Sequence, residues 1–412
     1  MDVRRAKQAV EWPTHGSSPT RRPAWLGSLF ALAVCYPLAF GGAAVQGGAS
    51  APAQSRPSTA AGAVEKTAPP AAQDWQKEPQ LQVPAGHAIP EAPRTPVLLD
   101  GPPPVPASPL GGEDPAVIRE FVGLIEEGKF QEVEPRLAKY LETQPGSSLV
   151  HYLHGFVLFR QHRLGDAIRA LAKSLELNGE NGEAHKMLGR ALSILGRYDL
   201  ALREFDEAGR LMPHSAEVHY NRGRVYSIQD DFHRARAEFE AALRLSPNYT
   251  EAHNALGFAL EALGDDAAAL ASYQKAIQLT EQQGAKFDAP FVNLSGYYGR
   301  RGEFQTSLYY ARKALELNPR SDLAYYQMAK TYRTQGDWAQ AAEALEKAIA
   351  IKPTSAQYHY VLSSAYRKLG KLKESQAALE VFRRIERQTA ELERQRRATR
   401  RLTAPPDPVK AD

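Results

Sequence analysis

Five histidines offer the first prospect of chemistry. His151, His185, His219 and His253 follow one another at intervals of 34 residues, and His359 falls on the same grid. Imidazoles ligate transition metals and exchange protons near neutral pH, but a zinc shell needs its ligands at bonds of about 2 Å from one ion. Residues that recur because their surroundings recur stand one structural unit apart, too far to share a shell. Phe291 and Tyr325 hold the same grid position elsewhere, so the position takes a bulky packing group. The single cysteine, Cys35, leaves no disulfide framework and no cysteine-rich metal site. The chain has no glycine-rich phosphate loop, no G-x-S-x-G and no H-E-x-x-H. No catalytic, metal-binding or cofactor-binding residue is assigned, and the expectation is a protein that is not an enzyme.

The grid itself is the stronger signal, because a fixed period of 20–50 residues marks a repeat architecture. It is cleanest at 182–215, GEAHKMLGRALSILGRYDLALREFDEAGRLMPHS. Leu188, Gly189 and Leu192 mark a first helix, Gly196 and Tyr198 a turn, Ala201, Phe205 and Ala208 a second helix, and Pro213 its end. Units of 34 start at Asp114, Ser148, Gly182, Ala216, Thr250, Asp288, Asp322 and Ala356, with four extra residues between the fifth and sixth. Four residues are about one helical turn, so the second helix of the fifth unit is expected to run on.

Numbered within the unit, position 8 carries Gly155, Gly189, Gly223, Gly257, Ser295, Ala329 and Ser363. Position 20 carries Ala167, Ala201, Ala235, Ala269, Ser307, Ala341 and Ser375. Position 27 is mostly alanine, and position 32 carries Pro145, Pro213, Pro247, Pro319 and Pro353. Small residues let helices approach closely, and proline stops the preceding helix. Ser147, Asn181, Ser215, Ser321 and Ser355 at position 34 are expected N-caps. The first unit, with Phe121 at position 8 and Val133 at 20, reads as a degenerate cap.

This pattern resembles the tetratricopeptide repeat (TPR) family over about two-thirds of the chain. The resemblance implies an all-α, right-handed superhelical solenoid of about eight helix-turn-helix units over residues 113–389. It also implies that the first helices line a concave surface on which position 2, together with positions 5, 9, 12 and 13, faces a ligand. Carried onto this sequence, positions 5, 9, 12 and 13 give Tyr152, Phe156, Lys186, Arg190, Tyr220, Arg224, Asn254, Phe258, Arg300, Tyr326, Lys330, Arg333, Tyr360 and Arg367. Tyrosine and arginine commonly anchor protein interfaces, and acidic or carboxylate-terminated segments suit such a groove electrostatically. The family's carboxylate clamp is incomplete, since Lys186 is followed by Arg190 and Glu251 occupies a later lysine position. Glu183, Glu217 and Glu251 at position 2 read as first-turn residues favoured by the helix dipole.

The flanks differ in composition. Arg4, Arg5, Lys7, Arg21 and Arg22 precede a charge-free run from Ala24 to Val45, the pattern of an export signal or N-terminal anchor over 1–46. Fourteen of the 29 prolines lie between Gly47 and Gly112, so 47–112 is expected to be a disordered tether. Eight arginines and three glutamates lie between Arg383 and Arg401, and residues 390–412 read as a charged helical extension and tail. A formal net charge of +4 is too small to imply a nucleic-acid binder.

The expected function is a non-enzymatic scaffold in the bacterial cell envelope. It holds a protein or peptide partner in its groove, with membrane contact only through the N-terminal segment. Self-association and a basic tail that binds nucleic acid or anionic membrane are the alternatives.

Overall fold

The computed structural model describes residues 113–403. The expected export segment over 1–46, the linker over 47–112 and the tail beyond 403 lie outside the described residues. Among the described residues there are sixteen helices and no strand. The first pair is α1 (Pro115–Glu126) and α2 (Phe130–Thr143). It is followed by α3 (Ser148–Arg160) with α4 (Leu164–Leu177), α5 (Gly182–Ile194) with α6 (Tyr198–Leu211), and α7 (Ala216–Ile228) with α8 (Phe232–Leu245). Then come α9 (Thr250–Leu263) with α10 (Asp266–Gln283), α11 (Ala289–Arg300) with α12 (Phe304–Leu317), α13 (Asp322–Gln335) with α14 (Trp338–Ile351), and α15 (Ala356–Lys368) with α16 (Leu372–Thr403). No helix among the described residues is long and apolar enough to cross a membrane.

Each helix starts and stops for local reasons. The Asn181 side chain accepts the Ala184 N–H at 3.1 Å, and Ser147 and Ser321 cap α3 and α13 in the same way. Ser215 and Ser355, expected to act likewise, make no side-chain cap bond. The turn inside each unit puts position 15 in the left-handed region, as at Gly196 with φ of 72°. Glycine reaches that region without strain, whereas His162 and Asp230 hold it at φ of 61° and 58°. Helix α10 is 18 residues long where the other second helices before α16 have 14, so the extra residues at the fifth joint lengthen it by a turn.

The pairs close on small residues. A Cβ placed on Gly189 would meet the Phe205 ring at 2.8 Å, and one on Gly223 would meet Phe239 at 2.7 Å. Position 8 is therefore the floor on which the large side chain at position 24 rests. Consecutive first helices α3, α5, α7, α9, α11 and α13 also touch one another, and no two consecutive second helices pack to that degree. A stack whose first helices crowd while its second helices splay must curve, with the first helices on the inside. The result is a superhelical array with a concave face built from odd-numbered helices.

Candidate functional site

The five histidines have structural partners. The ring Nε2 of His151, His253 and His359 lies 3.1, 2.9 and 2.9 Å from the carbonyl oxygens of Pro145, Pro247 and Pro353. A carbonyl only accepts, so Nε2–H donates and each imidazole ties a first helix to the end of the preceding unit. His185 and His219 add Nδ1 contacts of 2.7 and 2.8 Å to Glu204 and Glu238 on their own second helices.

The groove residues divide by region. In the N-terminal half most are used internally. Tyr152, Phe156 and Phe258 are buried in the apolar core, Phe258 edge-on to Phe232 of α8 at 5.9 Å. Asn254 is also buried and accepts a hydrogen bond from Asn293 at 2.9 Å. These four do not offer free ligand-facing side chains. Arg190 lies over the Phe159 ring at 5.1 Å and Arg224 over Tyr220 at 5.7 Å. Tyr220 itself stacks obliquely on Tyr249 at 4.9 Å.

Lys186 is only 7% exposed. Its ammonium sits 2.9 Å from Glu183 and 2.5 Å from Glu217 of the next unit. Burial alone would pull its pKa down, but the two carboxylates outweigh that and hold it above the ordinary value. Sequence reasoning took those glutamates for helix-dipole residues and missed the bridge. The signal that could have found it is the pairing of position 5 with position 2 of its own and the following unit. Glu251 repeats the glutamate, but Tyr220 stands where its lysine would be, and burial raises the Glu251 pKa.

The C-terminal half is different. Arg300, Arg333, Tyr360 and Arg367 are exposed, and Tyr326 and Lys330 are partly exposed. Lys330 lies 5.7 Å from the Tyr326 ring centroid, and among the described residues it has no carboxylate within ion-pair distance. Desolvation, then Arg300 and Arg333, lower its pKa to about 8. Glu261 on α9 pairs with Arg300, and its second oxygen accepts from the Tyr273 hydroxyl at 3.1 Å. Tyr326 packs on Tyr358 at 4.9 Å, and Tyr360 on Phe382 of α16 at 5.3 Å. Helices α11 and α13 approach more closely than any other consecutive inner pair. Gly296 and Gly299 permit this: a Cβ on the first would meet the Gln327 amide at 3.1 Å, and one on the second would meet Thr331 Oγ1 at 3.3 Å.

Residues 158–224 and 220–284 each match a family described as Tetratricopeptide repeat. Residues 300–382 match the family Anaphase-promoting complex, cyclosome, subunit 3. The chain belongs to the tetratricopeptide repeat family. No curated protein matches it. Among solved structures it is similar to the APC/C hetero-tetramer Cut9-Hcn1, at 18% identity and a TM-score of 0.52, over 60% of this chain and 48% of that one. It is also similar to a tetratricopeptide repeat protein from Parabacteroides merdae ATCC 43184, at 16% identity and a TM-score of 0.52, over 61% of this chain and 97% of that one. The chain spans about half the length of the Cut9-Hcn1 chain it matches. At these identities the likeness is one of fold. A TPR array is a stack of helix pairs whose curvature creates an extended binding surface, and such folds generally serve as protein–protein interaction modules.

Proposed function

We propose that this TPR chain is a non-enzymatic scaffold that holds an extended segment of a protein partner along the C-terminal half of its concave face, on the exported side of a bacterial envelope. The observation that carries the reading is the set of side chains left available there. Arg333, Tyr360 and Arg367 are exposed on inner helices, and they are residue types that anchor interfaces. The envelope part rests on the basic segment ahead of the charge-free run from Ala24 to Val45.

Site-specific photocrosslinking in the native host tests it. A benzophenone side chain in place of Arg333 or Tyr360 is expected to trap one and the same partner. The same probe in place of Tyr309, 54% exposed on the second helix α12, is expected to trap none. Adducts at Tyr309 with none at the inner positions would overturn the groove assignment.

A further inference from the structure

The inner face between α11 and α13 holds three cations and one carboxylate already in use. Arg300 comes from the end of α11, and Lys330 and Arg333 from successive turns of α13. Glu261 has one oxygen on Arg300 and the other on the Tyr273 hydroxyl, and its pull on Lys330 is outweighed by desolvation and the two guanidiniums. The Glu261 side chain is 7% exposed, so it is not free to swing to Lys330. An ammonium drawn out of water beside two guanidiniums is unfavourable twice over, by desolvation and by like-charge repulsion. Packing does not require a lysine there. Its ammonium lies 5.7 Å from the Tyr326 ring centroid, and an uncharged side chain of the same length would fill that space. The close approach of α11 to α13, permitted by Gly296 and Gly299, brings the charges together.

We propose that Lys330, with Arg333 and Arg300, forms a receptor for an acidic side chain, glutamate or aspartate, of the segment bound in the groove. The incoming carboxylate supplies the missing counter-charge, Arg333 offers a planar fork at the rim, and the Tyr326 ring walls one side. This deepens the groove reading and rests on it. Desolvation and the two guanidiniums lower the lysine pKa to about 8, which also gives the site a pH dependence. Above that pH the lysine sheds its proton and the attraction weakens.

The test is binding of a fluorescein-labelled, C-terminally amidated hexaglutamate to the full chain, with hexaglutamine and a dT12 oligonucleotide as comparison probes. Hexaglutamate is expected to bind saturably, with hexaglutamine at least tenfold weaker. Lys330→Gln is expected to weaken hexaglutamate at least tenfold, and Arg333→Gln severalfold. An R383Q/R384Q/R387Q variant, which discharges part of α16 alone, is expected to change it less than twofold. Lys330→Arg keeps a charge at every accessible pH, so it should retain binding and lack the weakening expected of the parent between pH 7.5 and 9. Equal binding by Lys330→Gln, loss confined to the α16 variant, or dT12 bound more tightly than hexaglutamate and displaced by it would each overturn the acidic-side-chain receptor. If it fails in this way while probes at Arg333 and Tyr360 still trap one partner, the groove reading stands without the receptor. If those probes trap nothing, both fall.

Discussion

Lys186 and Lys330 are both drawn from water on the inner face of the same solenoid, and they are treated in opposite ways. Lys186, at position 5 of the third unit, is gripped by Glu183 and by Glu217 from the next unit. Lys330, at position 9 of the seventh, faces Arg300 and Arg333. The first is a fastener between units; its charge is neutralised inside the array. The second meets Arg300 and Arg333, and the pull of Glu261 does not offset desolvation and their repulsion. Structural and receptive cations are thus separated by what stands beside them, and residue type alone does not distinguish them.

The sharpest way to break this comparison is to remove the partners of Lys186. An E183Q/E217Q variant leaves a 7% exposed ammonium uncompensated. Stripping the partner from a buried charge is strongly destabilising, and here solvent reaches Glu217, so the expected loss is about 2–3 kcal/mol by urea unfolding. No change would mean that Lys186 is as loosely held as Lys330. A packing change sharpens the contrast next. Gly223→Val places carbon against the Phe239 ring, where a Cβ already falls at 2.7 Å. Overpacking of this kind costs about 1–3 kcal/mol. At Ser295, position 8 of the sixth unit, no large ring stands opposite. The Ser307 hydroxyl instead donates to the Ser295 carbonyl at 2.8 Å, so Ser295→Ala is expected to be tolerated.

Lys330→Met should act with the opposite sign to the loss of the Lys186 partners. Removing a desolvated, repelled charge is expected to stabilise by about 1–2 kcal/mol at pH 7, after a discount for the solvent that reaches this partly exposed group. The pH dependence follows the same way. The folded pKa of about 8 lies below the ordinary 10.5, so between those values the unfolded chain binds more protons and stability rises with pH. Urea midpoints of the parent should climb from pH 8 to pH 10 relative to Lys330→Met. A variant less stable than the parent at pH 7 would show that the lysine is a structural element after all.

The fold was legible because stacking leaves a mark at every unit. Small residues at positions 8, 20 and 27, mostly glycine, alanine and serine, stand wherever two helices must touch, and they recur on a 34-residue grid. The groove was legible only in outline. A repeat pattern says which face of a first helix turns inward. How far the neighbouring unit leans over it depends on side chains in two units at once. Tyr152, Phe156 and Phe258 were assigned to the ligand face and are instead covered. The Lys186 bridge joins residues 31 apart in sequence, visible only when one unit is laid on the next. The α11–α13 approach depends on Gly296 and Gly299 at positions 9 and 12, where the repeat code places no small residue.

The smallest expected effect is also regional. Burial, ahead of the carbonyl contacts that oppose it, lowers the pKa of His151 and His253 from the ordinary 6.5. His154 is lowered by burial too, against the pull of Glu134. For a base with a depressed folded pKa, the unfolded state takes up protons first as pH falls through 6.5, so stability is lost on acidification below that value. These three histidines lie on α3 and α9, whereas the sixth and seventh units contain no histidine at all. Units of a solenoid open semi-independently, so the loss should be local. Amide exchange at pH 6 compared with pH 7.5, corrected for the intrinsic rate, is expected to rise on the order of a few-fold in α3 and α9 and to stay flat in α11 and α13. An H151Q/H253Q variant should lose most of that rise. A uniform rise along the array would mean that the two halves share one opening equilibrium, and the division drawn between Lys186 and Lys330 would then concern charge alone and not independent stability.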